Sequence, residues 1–273
     1  MKHWVGSVMV ASVSALIAAL SATAMAQQGT VSVGYEEPTN PDLRPIYERL
    51  KNRAVLDELK AFLTPLRLPR QLTVRTEQCG ATRVAFRPEG LATVCYEMVD
   101  EIEKTVAKHT QDPALAQAVI SGAFIQIVFH ETARALFEVL QVPIWGREED
   151  AADRLAAFIM VQFGEDISRV AILGTANLFM WSERKWTGSD FSDAASPDYQ
   201  RFFNFVCVAY AADPLQFGDL VEKGVLPKRR ANRCQSEYEQ VRKAFDLRIM
   251  PYVDADLLIK IRSTPWLVWS AGK

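Results

Sequence analysis

Histidine is scarce in this chain of 273 residues, in which it occurs only three times. One of these, His3, lies in a segment that we expect to be removed on export, which leaves His109 and His130. Mechanisms that need several histidines are therefore excluded.

A surplus of charge of either sign is also lacking. The chain has 31 Lys and Arg residues against 33 Asp and Glu, for a formal net charge of −2. No basic excess exists to neutralise phosphates, so we expect no nucleic-acid partner. With 49% hydrophobic and 23% charged residues, the composition is that of an ordinary soluble globular protein.

The N-terminus has the pattern of a secretory signal peptide, predicted over residues 1–26. Lys2 and His3 precede an uncharged apolar run, Val8–Leu20, and Ala24-Met25-Ala26 provides a small-x-small cleavage site. The run is shorter than the roughly 20 residues of a transmembrane helix, although an uncleaved anchor is the alternative. No later stretch is expected to span a bilayer. The sequence predicts a periplasmic or secreted protein without a stable membrane anchor after cleavage.

The four cysteines all follow this segment, and an even number in an exported chain indicates disulfides. Three pairings are possible. We favour Cys79–Cys95 and Cys207–Cys234, because each closes a short local loop. A Cys₄ zinc site is the alternative, but no C-x₂-C spacing supports it.

Hydrophobic periodicity predicts an α+β fold that is mainly α. Residues 27–41 are polar and are interpreted as a flexible tether, and residues 42–273 as a single domain. A helix is expected over 43–63, followed by a small disulfide-stapled β-sheet with strands over 71–76, 83–87 and 92–96. Helices are then predicted over the ranges 96–108, 114–140, 148–163, 167–181, 198–212, 214–222 and 228–249, with a polar loop over 185–197.

One dipeptide in the longest predicted helix is typical of metal sites. His130 and Glu131 begin the H-E-x-x-H motif, in which two histidines on one helix face bind zinc and the glutamate activates a water molecule. The second histidine position holds Arg134, and a guanidinium has no lone pair to donate to a metal. The motif is therefore broken at its second ligand.

A second cluster follows on the next predicted helix. Glu149 and Asp153 are four residues apart and share a helix face. Zinc peptidases with a glutamate ligand often take it from a second helix, where an aspartate one turn later orients a ligand histidine. We therefore assign Glu149 as a metal ligand and Asp153 as the partner of His130, with Glu148 or Asp150 as alternatives to Glu149.

These segments resemble a family of bacterial metallopeptidases, exported or cytosolic, over roughly residues 45–253. The family pattern is H-E-x-G-H, whereas this chain has His130-Glu131-Thr132-Ala133-Arg134 and so departs from it at Ala133 and Arg134. The matching segments include the ranges 79–80, 95–97, 129–136, 142–153, 201–204, 209–210, 213–214 and 233–238.

The resemblance implies a zincin-like helical domain and peptide-bond hydrolysis. A zinc ion held by His130 and Glu149 would lower the pKa of a bound water, and Glu131 would act as general base. Tyr210 is a candidate for stabilising the oxyanion. The partner would be a peptide or protein substrate.

Arg134 leaves two main hypotheses open. In the first, the chain is an exported zinc peptidase in which another group restores the site; His109, or a carboxylate such as Asp153 or Glu148, is the candidate. In the second, Arg134 replaces the metal by pairing with the carboxylates, and a pseudo-peptidase without cofactor binds peptides or proteins without cutting them. A purely structural role is a third, weaker hypothesis.

Overall fold

The computed structural model describes residues 29–82, 89–182 and 196–262, with side chains described up to residue 259. The predicted signal peptide, strand 83–87 and most of the loop 185–197 lie outside these residues. The first half of the fold contains β1 (Val31–Tyr35), α1 (Arg44–Asn52), α2 (Val55–Leu63), β2 (Leu72–Glu77), β3 (Leu91–Cys95), α3 (Tyr96–His109) and α4 (Pro113–Val139). The second half contains α5 (Glu148–Met160), α6 (Glu165–Trp181), α7 (Asp198–Ala212), α8 (Pro214–Phe217), α9 (Asp219–Glu222), α10 (Lys228–Arg248) and α11 (Ala255–Arg262).

The fold class is the predicted one, mainly α with a small sheet near the N-terminus. The described sheet has the order β1-β2-β3, and both strand pairs are parallel. Leu72, Val74 and Thr76 of β2 are buried while the residues between them are partly exposed, as the alternation predicts. The buried hydroxyl of Tyr96 donates to the Glu36 carbonyl at 2.8 Å and ties the end of the sheet to α3.

The prediction of a flexible tether over residues 27–41 is wrong for residues 31–35. They form β1, which pairs with β2 from Val31 opposite Leu72 to Tyr35 opposite Thr76. The Tyr35 hydroxyl also accepts a hydrogen bond from the Leu56 backbone N–H at 2.7 Å, which fixes the strand to α2. The composition of the whole stretch 27–41 concealed this short alternating run, whose partner strand lies about forty residues away.

Two of the predicted helices are each divided in the structure. The helix predicted over 43–63 is divided into α1 and α2 at Ala54, whose backbone is left-handed (φ 49°). The segment 214–222 forms two short helices, α8 and α9, rather than one.

α4 is long and apolar enough to cross a membrane by length and composition alone. This corrects our expectation that no stretch after Leu20 could span a bilayer. Most of its side chains are buried in the fold, and it packs between α3, α5, α6 and β3.

Both predicted disulfides are present. Cys79–Cys95 joins the loop after β2 to the end of β3, and Cys207–Cys234 joins α7 to α10. The described residues contain no free cysteine. The second disulfide fixes the helix pair that lies beside α5, since α7 and α10 both contact α5.

Two glycines bring α4 and α6 into close contact. A Cβ atom added at Gly122 of α4 would overlap the Ala171 carbonyl oxygen of α6. A Cβ atom added at Gly174 of α6 would overlap the Ala118 carbonyl oxygen of α4. Only glycine allows the two backbones to approach this closely.

Candidate functional site

The predicted metal-site residues come together where α4 packs against α5. Gln126, His130 and Arg134 are spaced four residues apart on α4 and so share one face of the helix. Glu149 and Asp153 on α5 have the same spacing and lie opposite them. The acidic run Glu148-Glu149-Asp150 also begins α5, where carboxylates are favoured by the helix dipole.

His130 bonds to a carboxylate through each ring nitrogen. Nδ1 lies 2.8 Å from Asp153 Oδ1, and Nε2 lies 2.9 Å from Glu149 Oε2. Carboxylates only accept hydrogen bonds, so both nitrogens donate only when the ring is protonated. Burial on its own would lower the pKa of His130, but the hydrogen bonds and charges of Asp153 and Glu149 outweigh it and raise the pKa to about 9. The ring is thus an imidazolium at neutral pH.

The contribution of His130 to stability therefore depends on pH. Its folded pKa lies above the ordinary value of about 6.5, so the contribution is complete below about pH 6.5 and is lost as the pH rises through about 9. At about 1.4 kcal/mol per unit, the loss approaches about 3 kcal/mol. We expect the unfolding free energy of the metal-free protein in urea to fall by this amount at alkaline pH.

The control for this prediction is the difference between two histidine variants. His130→Gln should remove most of the alkaline loss, whereas His109→Gln should retain it. Equal pH profiles for His130→Gln and the wild-type protein would contradict the assignment of the charge to His130.

Asp153 is the most heavily bonded carboxylate of the cluster. Its Oδ1 accepts from Gln126 Nε2 at 2.8 Å as well as from His130, and Arg201 donates to both oxygens, Nε to Oδ2 at 2.7 Å and Nη2 to Oδ1 at 3.0 Å. Burial alone would raise the pKa of Asp153, but Arg201 and His130 hold it far below its usual range. Asp153 therefore stays ionised and fixes the orientation of the His130 ring.

Arg201 and Gln126 are members of the cluster that the sequence analysis missed. Arg201 lies on α7, has 12% of its side chain exposed, pairs with Asp198 at 3.3 Å and lies 4.3 Å above the centroid of the Phe179 ring. It was part of a family-like segment, residues 201–204, but no local spacing connects it with Asp153, 48 residues earlier. Gln126 could have been found from its position one turn before His130 on the same helix face.

Arg134 occupies the predicted second-ligand position and bonds to acidic groups there. Its Nε lies 3.1 Å from Glu148 Oε1 and 3.3 Å from Glu149 Oε1, and its Nη1 lies 3.3 Å from Glu131 Oε2. Burial would lower the pKa of Arg134, but the charges of Glu131, Glu149 and Glu148 outweigh burial and raise it. The guanidinium thus joins the first turn of α5 to the His-Glu segment of α4.

The neighbouring acidic residues have separate partners. Glu148, with 51% of its side chain exposed, faces Arg134. Asp150 accepts from the Ser196 backbone N–H at 3.1 Å and from the Ser196 hydroxyl at 2.6 Å. Of the three acidic residues that begin α5, Glu149 is the one that bonds to His130, whereas the sequence analysis assigned it as a metal ligand.

This arrangement does not fit a zinc ion. The motif would use lone pairs from His130 Nε2, from its second histidine position and from Glu149. Here His130 Nε2 and Glu149 bond to each other, and the remaining position is a guanidinium. Within residues 29–82, 89–182 and 196–262, no group of three or more His, Cys, Asp or Glu residues is arranged to hold a metal.

Two other predicted residues lie elsewhere. Tyr210 is half-buried against the core, nine residues after Arg201 on α7, which is about 13 Å along the helix and on its opposite face. Its oxyanion role stays a prediction. His109 ends α3 and stacks on Trp181 of α6, with 5.2 Å between the ring centroids. α4 begins at Pro113, about 25 Å along its axis from His130, so His109 lies towards the opposite end of that helix.

Comparison with known proteins gives one match. A family model with the description "Putative metallopeptidase" matches residues 35–247. A search of curated proteins found no match. A search of solved structures also found none. The matched range covers most of the chain and includes α4, α5 and α7, so the protein belongs to this metallopeptidase family, whose activity implies a metal such as zinc.

Proposed function

We propose that this chain is an exported, non-hydrolytic member of its metallopeptidase family that binds peptide or protein segments without cutting them. The observation that carries the proposal is the position of Arg134. Its guanidinium pairs with Glu131, Glu148 and Glu149 at the place where the family motif has its second histidine ligand.

The charge network supports a site that is stable without metal. A cluster of ionised carboxylates is unfavourable unless cations lie between them. Arg134 separates Glu131 from Glu149, protonated His130 separates Glu149 from Asp153, and Arg201 compensates Asp153 on its other side. Three positively charged side chains, Arg134, His130 and Arg201, thus hold together the carboxylates that a metal dication would otherwise hold.

Glu131 has a use in this network that does not require hydrolysis. Zinc peptidases of this type need the glutamate as a general base, and its presence favours the alternative that the chain is an active enzyme. In this protein Glu131 lies 3.3 Å from Arg134, one turn away on the same helix. Pairing with the guanidinium is sufficient to account for the residue.

Export is supported by the N-terminal segment and by the disulfides. Residues 1–26 have the pattern of a signal peptide, and Cys79–Cys95 and Cys207–Cys234 would persist only in an oxidising compartment. Peptide binding is supported by family membership, since a peptidase fold must bind an extended chain before any bond is cleaved. These features support a proposed location in the periplasm or outside the cell.

The metal content of the purified mature protein tests the proposal. After dialysis against zinc and then against metal-free buffer, we expect far less than one zinc per chain by mass spectrometry. We also expect no cleavage of unfolded casein, with or without added zinc. About one retained zinc per chain together with casein cleavage that Glu131→Gln abolishes would overturn the proposal in favour of an active zinc peptidase.

A further inference from the structure

The C-terminal part of the chain carries an excess of positive charge that the rest of the chain does not share. Residues 228–273 contain ten Lys and Arg against five Asp and Glu, whereas residues 1–227 contain 21 against 28. The nearly balanced charge of the whole chain therefore conceals a basic part that begins with α10. An asymmetry of this kind indicates contact with an anionic partner.

α10 has two faces that differ in what they contact. Its inner face packs on the core through Ala231, Cys234, Tyr238, Val241 and Phe245. On the opposite side, exposed residues recur at intervals of four and three, so they form one continuous row. This outer face of α10 consists of Arg229, Arg233, Ser236, Gln240, Lys243 and Leu247. Along about 27 Å of helix it carries cations and no carboxylate.

The carboxylates of α10 lie beside the outer face, and each has a partner. Glu237 pairs with Arg230 at 2.7 Å. Arg242 pairs with Glu239 at 2.6 Å and with Asp246 at 3.0 Å. The cations of the outer face have no ion pair with any residue that the structure describes. Their charges are therefore available to an anion outside the protein.

The shape of the outer face favours a partner that presents many anions over a plane. The face is the ridge of a single helix, on which Arg233 lies about 6 Å from Arg229 and about 15 Å from Lys243 along the axis. A ridge has no concave wall to enclose one small anion. An anionic bilayer presents a plane of phosphates, and its lipids move laterally to meet each cation.

Exposed apolar side chains accompany these cations in the C-terminal part of the chain. Leu247, the last residue of the outer face, is 65% exposed, and Ile259 on α11 is 68% exposed. A soluble polyanion offers them no apolar contact, whereas a bilayer has an apolar boundary just below its headgroups. The sequence beyond the described residues adds Trp266 and Trp269, and tryptophan is enriched at membrane interfaces.

We propose that the outer face of α10 binds reversibly to anionic membrane surfaces. Phospholipid phosphates pair with Arg229, Arg233 and Lys243, and Leu247 enters the boundary between headgroups and acyl chains. Each basic residue near an anionic surface strengthens binding about fivefold, so a few such residues give peripheral association and not an anchor. The inference does not depend on the proposed function, to which it adds a site of contact with lipid.

Co-sedimentation of the mature protein with lipid vesicles tests the inference. At low ionic strength we expect binding to vesicles of about equal parts phosphatidylcholine and phosphatidylglycerol, and none to vesicles of phosphatidylcholine alone. Arg229→Gln combined with Arg233→Gln should weaken binding to the anionic vesicles at least about tenfold. Salt at about 1 M should release the wild-type protein, because it screens charges beyond about 3 Å.

The matched control removes the same charge from another surface. Arg53 follows α1 and Lys108 lies in the last turn of α3, and both are exposed. The α-helices that pack on α10 are α5 and α7. Arg53→Gln combined with Lys108→Gln should therefore weaken vesicle binding far less than the pair of substitutions on α10. Circular dichroism of both double variants checks that they are folded.

Several results would overturn the inference without affecting the proposed function. These are equal binding to the two kinds of vesicle, absence of binding to both, or an equal loss of binding by the two double variants. Displacement of the protein from anionic vesicles by polyglutamate at a matched concentration of charge would assign the outer face to acidic protein segments instead. The zinc content and the casein assay, which test the proposed function, are independent of each of these results.

Discussion

Replacing Arg201 by leucine should lower the free energy of unfolding by about 3–5 kcal/mol. The substitution leaves Asp153, whose side chain is 5% exposed, without its two-oxygen partner inside the protein. A buried carboxylate that loses its counter-charge retains the cost of desolvation without the compensating attraction. Urea unfolding at neutral pH, followed by far-UV circular dichroism, measures the loss.

Three further variants test whether the lost ion pair causes this loss of stability. Arg201→Leu combined with Asp153→Leu removes both charges and should recover much of the stability that the single substitution loses. Arg242→Leu, at a side chain 48% exposed, should cost less than about 1 kcal/mol although it also removes two ion pairs. A double variant no more stable than Arg201→Leu would mean that packing on Phe179, rather than charge, is what Arg201 contributes. Should Arg201→Leu fail to fold, Arg201→Lys tests the same point by keeping the charge and losing the paired hydrogen bonds.

Replacing Arg134 by histidine should give the protein a metal site. The change removes a cation and supplies the missing lone pair beside His130 and Glu149, which completes a set of three protein ligands with an open position. Loss of a residue that only hydrogen-bonds a metal ligand lowers metal affinity about 10–100-fold. A new side chain that binds the metal directly should have a larger effect, so we expect Arg134→His to raise the affinity for zinc by more than about a hundredfold. Competition with a chromophoric chelator measures the affinity.

The control for this gain is Arg134→Gln, which removes the charge without adding a comparable ligand. It should bind zinc far more weakly than Arg134→His. Zinc must also displace the proton that His130 shares with Glu149, so the affinity of the histidine variant should rise with pH. Equal zinc binding by the two variants would show that repulsion by the guanidinium, and not the absent ligand, prevents metal binding in the wild-type protein.

Features set by short-range spacing were predictable from the sequence. The α7 boundaries, the disulfide pairs and the contact of His130 with Asp153 all rest on local loops or on helical periodicity. Such spacings determine which side chains share a helix face whatever surrounds the helix. The shared helix face of Glu149 and Asp153 therefore followed from the α5 segment alone, while their roles toward a metal stay predictions.

Features that depend on distant partners were not predictable. β1 reads Val-Ser-Val-Gly-Tyr, a short alternating run inside the longer stretch 27–41 that is polar and marked by Gly and Pro, and it is a strand because β2 lies beside it. Arg201 reaches Asp153 only because α7 packs against α5, and no spacing within the sequence encodes that contact. The break at Ala54 likewise has no glycine or proline to announce it, since an alanine there adopts a backbone that usually requires glycine.

The close crossing of Gly122 and Gly174 fixes one half of the site. Because backbone meets backbone there, α4 has no room to slide along α6, and the register of His130 relative to the rest of the fold is locked. At the cluster, α4 meets α5 through the side-chain hydrogen bonds and ion pairs of His130 and Arg134. The half of the cluster that α4 carries is therefore held in a register set by α6, and Glu149 and Asp153 reach it from α5.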